Sequence, residues 1–161
     1  MAFIIKASNS DYEAVPTGPQ HAVCAFVEDI GVHEGTFQGK AYSRHQLVIV
    51  WELAEKMKDG RPFCMSKFYT ASLDEKANLR HDLSAWMGKD FTDQELLGFD
   101  IETMIGRNCM LNIVEKKKLD GKVTQAIGSI MPAVKGMPAM LPSMDNPPEW
   151  IAKKRAESIS F

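Results

Sequence analysis

Apolar and polar residues alternate most clearly between Tyr42 and Leu53. Leu47, Ile49, Trp51 and Leu53 fall on one side of an extended chain there, and Tyr42, Arg44, Gln46, Val48 and Val50 on the other. A period of two predicts a half-buried strand. His21 to Ile30 carries a similar pattern, with Val23 and Val27 on one face and Cys24 and Phe26 on the other. Gly31 ends that strand, and a polar loop is expected from Val32 to Lys40. The turn Lys58-Asp59-Gly60 leads into a third strand, Pro62 to Thr70, and its Asp-Gly pair favours an antiparallel hairpin. Asn108 to Glu115 and Lys122 to Met131 make a second hairpin around Lys116-Lys117-Lys118-Leu119-Asp120-Gly121.

Between the two hairpins the period lengthens. Ser72-Leu73-Asp74-Glu75 has the spacing of a helix-start capping box, Leu79, Leu83 and Trp86 form an apolar stripe, and Gly88 is placed to stop the helix. Thr92-Asp93-Gln94-Glu95 is a second capping box, flanked by Phe91 and Leu96 at the positions of a hydrophobic staple. Leu97, Ile101 and Ile105, four apart, extend that helix towards Gly106. Residues 1–20 read as an extended arm broken by Pro16, Gly18 and Pro19, with a short strand at Phe3-Ile4-Ile5. Residues 132–161, rich in proline and methionine, read as a flexible tail with a short helix from Glu149 to Glu157. The folded unit is then 21–131. Three strands, a helical insert and a two-stranded hairpin follow the order of the OB-fold, a five-stranded, partly open β-barrel.

Composition narrows the chemistry. Nineteen basic against 21 acidic residues give a formal net charge of −2, so nothing pulls the whole molecule towards nucleic acid. Cys24, Cys64 and Cys109 are far apart, odd in number and set among apolar neighbours. They read as reduced buried thiols rather than a disulfide framework. The four histidines are scattered and no CxxC occurs, so no metal site or cofactor is expected. Gly-rich phosphate loops, HExxH and GxSxG are missing, which argues against an enzyme. The segment from Met1 to Lys6 has neither the basic flank nor the long apolar core of a signal peptide, so the expected location is the cytoplasm.

Several stretches carry a family resemblance: Ala7-Ser8-Asn9, Trp51-Glu52-Leu53, the block from Ser66 to Leu73, Glu75 to Arg80, Gly106 to Asn112, and Ile127 to Pro132. Over residues 1–135 the chain resembles a family of small phage proteins encoded among replication and recombination genes and described as single-stranded DNA-binding proteins. The resemblance implies sequence-independent binding of single-stranded DNA in a bacterial host, and brings no catalytic motif.

Binding of that kind needs cations along the phosphates and aromatic faces for the bases. OB barrels place them on strands two and three and on the loops after strands one and four. Tyr42 and Arg44 on the second strand, and Phe63, Lys67 and Tyr69 on one face of the third, are the candidates there. Lys67 and Tyr69 are expected to point outward, because an unpaired charge is rarely buried. Arg107, Lys116, Lys117, Lys118 and Lys122, against Glu115 and Asp120, make the second hairpin locally +3. The lysines serve equally well as a solvated turn that keeps a sheet edge soluble. Trp51 and Trp86 follow the apolar period and belong to the core.

The near-neutral charge and the Pro/Met tail leave an alternative open, a protein–protein adaptor engaging a phage recombinase, helicase, nuclease or host defence factor. The terminal Phe161 weakly resembles the acidic, phenylalanine-ended tips by which single-strand binders recruit partners. Here only one acid precedes it, and Lys153-Lys154-Arg155 makes the approach basic, so the tail is equally able to lie on DNA.

Overall fold

The computed structural model describes Phe3 and residues 13–158. Five strands form one antiparallel sheet: β1 (Gly18–Phe37), β2 (Lys40–Lys56), β3 (Pro62–Thr70), β4 (Asn108–Lys117) and β5 (Val123–Pro132). Their order is β3-β2-β1-β4-β5. The long β1 is shared: Gly18 to Val23 pairs with β4, and Ala22 to Phe37 pairs with β2. The outer strands β3 and β5 are not neighbours in the ladder, so the sheet is not closed. Helix α1 (Asn78–Met87) packs against both of them.

The four later strand expectations hold to within three residues at each end, because period-two alternation marks a half-buried strand directly. The first does not. β1 runs on through the stretch expected as a loop to Phe37, and the connection to β2 is only Gln38-Gly39, both at positive φ (51° and 78°). That conformation suits the twist of a two-residue hairpin. The pairing slips between Cys24 and Phe26 and again between Asp29 and Gly31. The first slip separates residues expected on one face: Cys24 joins the inner core with Val27, and Phe26 turns to the outer side. At the second, Gly31 takes φ +80°, which lets the strand bend and continue.

The inner face of the sheet and α1 enclose the main core. Leu47, Ile49, Trp51 and Leu53 meet Leu79, Leu83 and Trp86 there, all at most 7 % exposed. The Trp51 and Trp86 rings lie 5.6 Å apart at 52°, and Trp86 Nε1 donates to the Asn108 carbonyl. Both tryptophans are core residues, as their periodicity requires. Ser72 does not begin α1; its Oγ accepts from Asp74 N in a local turn, and the helix starts after Ala77 without a side-chain cap. Thr92 and Glu95 do form the reciprocal capping box, but helix α2 (Asp93–Leu97) then stops at Gly98. A 3-10 turn (Ile101–Met104) capped by Asp100 replaces the expected run to Gly106, leaving Leu97 91 % exposed.

The largest departure is at the C-terminus. Residues expected as a flexible tail cross the outer face of the sheet and are anchored on it. Asn108 pairs with the Met140 backbone through both its amide atoms, donating to the carbonyl (3.0 Å) and accepting from the N–H (2.7 Å). Glu52, 2 % exposed, accepts from Ser143 N, Ser143 Oγ and Met144 N at 2.7–3.0 Å. Helix α3 (Glu149–Ala156) then docks on β1 and β2. Its Ile151 is buried with Ile30, Val48 and Val50, Arg155 Nε donates to the Asp29 carbonyl, and Arg155 Nη2 pairs with Glu28. Val48 and Val50 offer an apolar strip that would otherwise face water, and covering it favours the docked segment. No helix among the described residues is long and apolar enough to cross a membrane.

Candidate functional site

On β3 the expected faces are inverted. Phe63 and Tyr69 point inward and are 7 % and 2 % exposed, whereas Phe68 points outward. Lys67 shares the inward side and is paired. Its Nζ lies 2.8 Å from Asp82 Oδ2 on α1, and Tyr69 Oη donates to the same oxygen at 2.6 Å. Lys67 stays on the core side because Asp82 neutralises it, the exception that the rule against buried charge allows. Lys67 and Tyr69 therefore tie α1 to the sheet through Asp82, and Phe63 belongs to the core.

This clamp has an acid limit. Burial raises the pKa of the Asp82 carboxyl, but hydrogen bonds from Lys67 and Tyr69 outweigh it and hold the group below the ordinary carboxylate range. Tyr69 moves the opposite way, pushed up by burial and then by the bond to Asp82. A carboxyl depressed in the folded state adds stability above its unfolded value of about 3.9, and loses it as pH falls through the lower folded value. Asp82→Asn is therefore expected to flatten the acid limb of a melting-temperature profile between about pH 5 and pH 2. An unchanged acid limb in the variant would remove Asp82 from this role.

The other candidates divide into two groups that the register keeps apart. Tyr42 and Arg44 stand opposite Gly35 and His33, on the part of the β1–β2 hairpin that extends beyond β3. The Tyr42 ring lies across the ribbon over Gly35, where a Cβ would collide with it. The Arg44 guanidinium carbon sits 4.0 Å from the centre of that ring. Lys116, Lys117, Lys118 and Lys122 are exposed at the β4–β5 tip, beyond the Gly18 end of β1. None of these four forms an ion pair among the described residues. Arg107 is exposed in the turn before β4, where its carbonyl accepts from Cys24 N. Phe161 lies outside the described residues.

Around Tyr42 and Arg44 the outer face carries two adjoining grooves, of about 530 and 500 Å³, which share Gln46 and Phe68. His33, Tyr42 and Lys154 line the first; Arg44, Thr70 and Lys76 line the second. Phe68 is 44 % exposed and Trp150 of α3 is 38 % exposed, with their rings 5.6 Å apart at 58°. Three cations (Arg44, Lys76, Lys154) face three acids (Glu34, Asp74, Glu157), so the groove is aromatic and electrically balanced. Phe68 escapes the sequence reading because it turns β3 over. Trp150 escapes it because the docking of α3 leaves no periodic trace.

The three thiols are free, and burial favours their protonated form. Burial pushes Cys24 up to about 12 and Cys64 up to about 11, and raises Cys109 as well. Among the described residues, no group of three or more His, Cys, Asp or Glu side chains is placed to hold a metal ion. Comparison of the sequence with protein-family models and with curated proteins returns no match.

Proposed function

We propose that this chain binds single-stranded DNA without sequence preference, on the outer face of an OB-type barrel. The strand order, with β1 shared between two sheet halves and α1 inserted after β3 to pack against β3 and β5, supports the barrel reading. OB barrels take up oligonucleotides on the face of strands two and three and on the loops after strands one and four. The observation that carries the proposal is the cluster on that face: Arg44 stacked on Tyr42, with Phe68 exposed along the same groove. An aromatic surface with few net cations binds by stacking first and by phosphate contact second. The lysine-bearing β4–β5 tip is a separate, sequence-indifferent phosphate contact. The resemblance to phage replication and recombination proteins supplies the proposed setting, the cytoplasm of a bacterial host.

An anisotropy titration with an oligothymidylate of about 16 nucleotides, the upper site size of one OB barrel, tests this. Binding is expected to be tighter for the single strand than for duplex and to weaken with salt. Phe68→Ala should cost about 1–3 kcal/mol of affinity. Arg44→Ala should weaken binding and lower the salt slope by about 0.7. Absence of binding at low salt overturns the proposal. One observation favours a second reading, a protein–protein adaptor: the charge balance of an aromatic groove suits a peptide at least as well as a polyanion. Loss of a co-purifying protein partner in Phe68→Ala, with no DNA binding by the wild type, would establish that reading instead.

A further inference from the structure

We propose that helix α3 is the second wall of the binding groove, in which Trp150 gives a nucleobase a stacking face and Lys154 meets a phosphate. The inference rests on the single-strand reading and adds that the C-terminal segment is part of the site, not a cover over it.

Two other uses of the segment are open in principle, a plain structural brace and a strap that leaves when DNA arrives. The anchors argue against departure. Lifting the segment would strip Glu52 of every donor it has from Ser143 and Met144, and Asn108 of its two bonds to Met140. It would also expose Ile30, Val48 and Val50 together with Ile151. Unmet buried polar groups and exposed apolar surface both oppose that movement.

The docked helix is not a plain brace either, because it turns Lys154 into the groove and sets the half-exposed Trp150 ring against Phe68 at its edge. Ile151 points down into the sheet and Arg155 is held by Glu28 and the Asp29 carbonyl, which fixes the rotation of the helix. With that rotation fixed, Trp150 stands against Phe68 and Lys154 lines the groove beside Tyr42 and Gln46. The two rings are tilted against each other, so each keeps part of a face open to a base. Among the described residues Lys154 pairs with Glu157, at 3.6 Å, with Lys154 half-buried and Glu157 exposed. A long surface ion pair of this kind is weak, and a phosphate readily replaces its carboxylate. Glu34 and Glu157 face the same groove and limit how many phosphates it takes. A short stretch of single strand, stacked on Phe68 and Trp150 with one phosphate at Arg44 and one at Lys154, is the ligand this geometry fits.

The test uses the full chain and the same oligothymidylate, with Trp150→Ala, Lys154→Gln and Arg44→Ala compared with wild type. Far-UV dichroism and melting temperature report whether α3 stays docked, and Lys154→Gln, on the surface, guards against a folding defect in Trp150→Ala. Loss of one stacked base should weaken binding roughly 5- to 150-fold. Lys154→Gln should lower the salt slope by about 0.7. If Arg44→Ala binds more weakly while the two folded helix variants match wild type, α3 is only a brace and the inference is wrong, with the function intact. A rise in affinity on Trp150→Ala means that the helix obstructs the strand, and overturns it equally. If the wild type itself fails to bind, the functional reading falls first.

Discussion

Tyr69→Ala is expected to lose roughly 3–5 kcal/mol of folding stability, the range for truncating a buried aromatic side chain to alanine. Tyr69 is 2 % exposed and its ring fills the core between β3 and α1. Truncation leaves a cavity there and also removes the Oη–H that donates to Asp82 Oδ2 at 2.6 Å. Asp82 keeps its bond from Lys67, so the carboxylate is weakened in its support rather than stranded. Tyr69→Phe separates the two contributions, since it keeps the packing and loses only the hydroxyl. A hydrogen bond to a charged group is worth about 1.5–3 kcal/mol, so Phe should cost clearly less than Ala. Urea unfolding of the three proteins measures both. On the proposed function, the fraction of Tyr69→Ala that remains folded should keep most of its DNA affinity, because the ring is only 2 % exposed. Wild-type stability with reduced binding would return Tyr69 to the surface.

That residue also marks how far the sequence could be read. Alternation revealed that Phe63, Lys67 and Tyr69 share a face and that Cys64, Ser66 and Phe68 share the other. It could not tell which face is inside, because Lys67 breaks the apolar pattern and a lysine ordinarily points to water. The partner that reverses the rule, Asp82, stands 15 residues later on a different element. Periodicity within one strand carries no information about a counter-charge arriving from elsewhere. Leu47, Ile49, Trp51 and Leu53 had no such conflict, and there the reading and the fold agree.

The C-terminal segment fails for a related reason. Its prolines and exposed methionines lack any repeat of period two or 3.6, so composition alone suggests disorder. What holds it are single polar side chains in otherwise apolar strands, Glu52 and Asn108, whose partners are backbone groups more than thirty residues away. One signal was present in the sequence. Glu52 follows Val48 and Val50 on the same side of β2, and an acid on an apolar strip invites the question of what satisfies it. Tyr42 and Arg44 were legible as candidates because their face was set correctly. Phe68 and Trp150 depended on the two features that were not.

Glu52 therefore yields the second large effect. Glu52→Ala removes the acceptor for two backbone N–H groups and one hydroxyl in a site only 2 % exposed. Each orphaned donor costs about 1–3 kcal/mol if it stays buried, so two backbone donors alone put roughly 2–6 kcal/mol on the docked state. The molecule has a cheaper response: the segment around Ser143 lifts, its N–H groups bond to water, and the strip of Val48 and Val50 opens. The expected result is thus local release more than global unfolding. Amide exchange should speed up at Ser143, Met144 and Ile151, and protease should cut between about residues 137 and 150, while amides of β2 and β3 near Trp51 and Met65 keep most of their protection. Glu52→Gln gives the contrast. Its carbonyl oxygen can still accept from Ser143 and Met144 N–H, and its amide can donate to Ser143 Oγ, so the bonds survive in number and lose only their charge assistance. If Ala and Gln exchange alike, and both like wild type, Glu52 does not hold the segment and apolar contact through Ile151 is sufficient. If Ala alone frees it, the position of Trp150 and Lys154 in the groove depends on a carboxyl group buried on the opposite half of the same face, and DNA affinity should fall in step with the loss of protection.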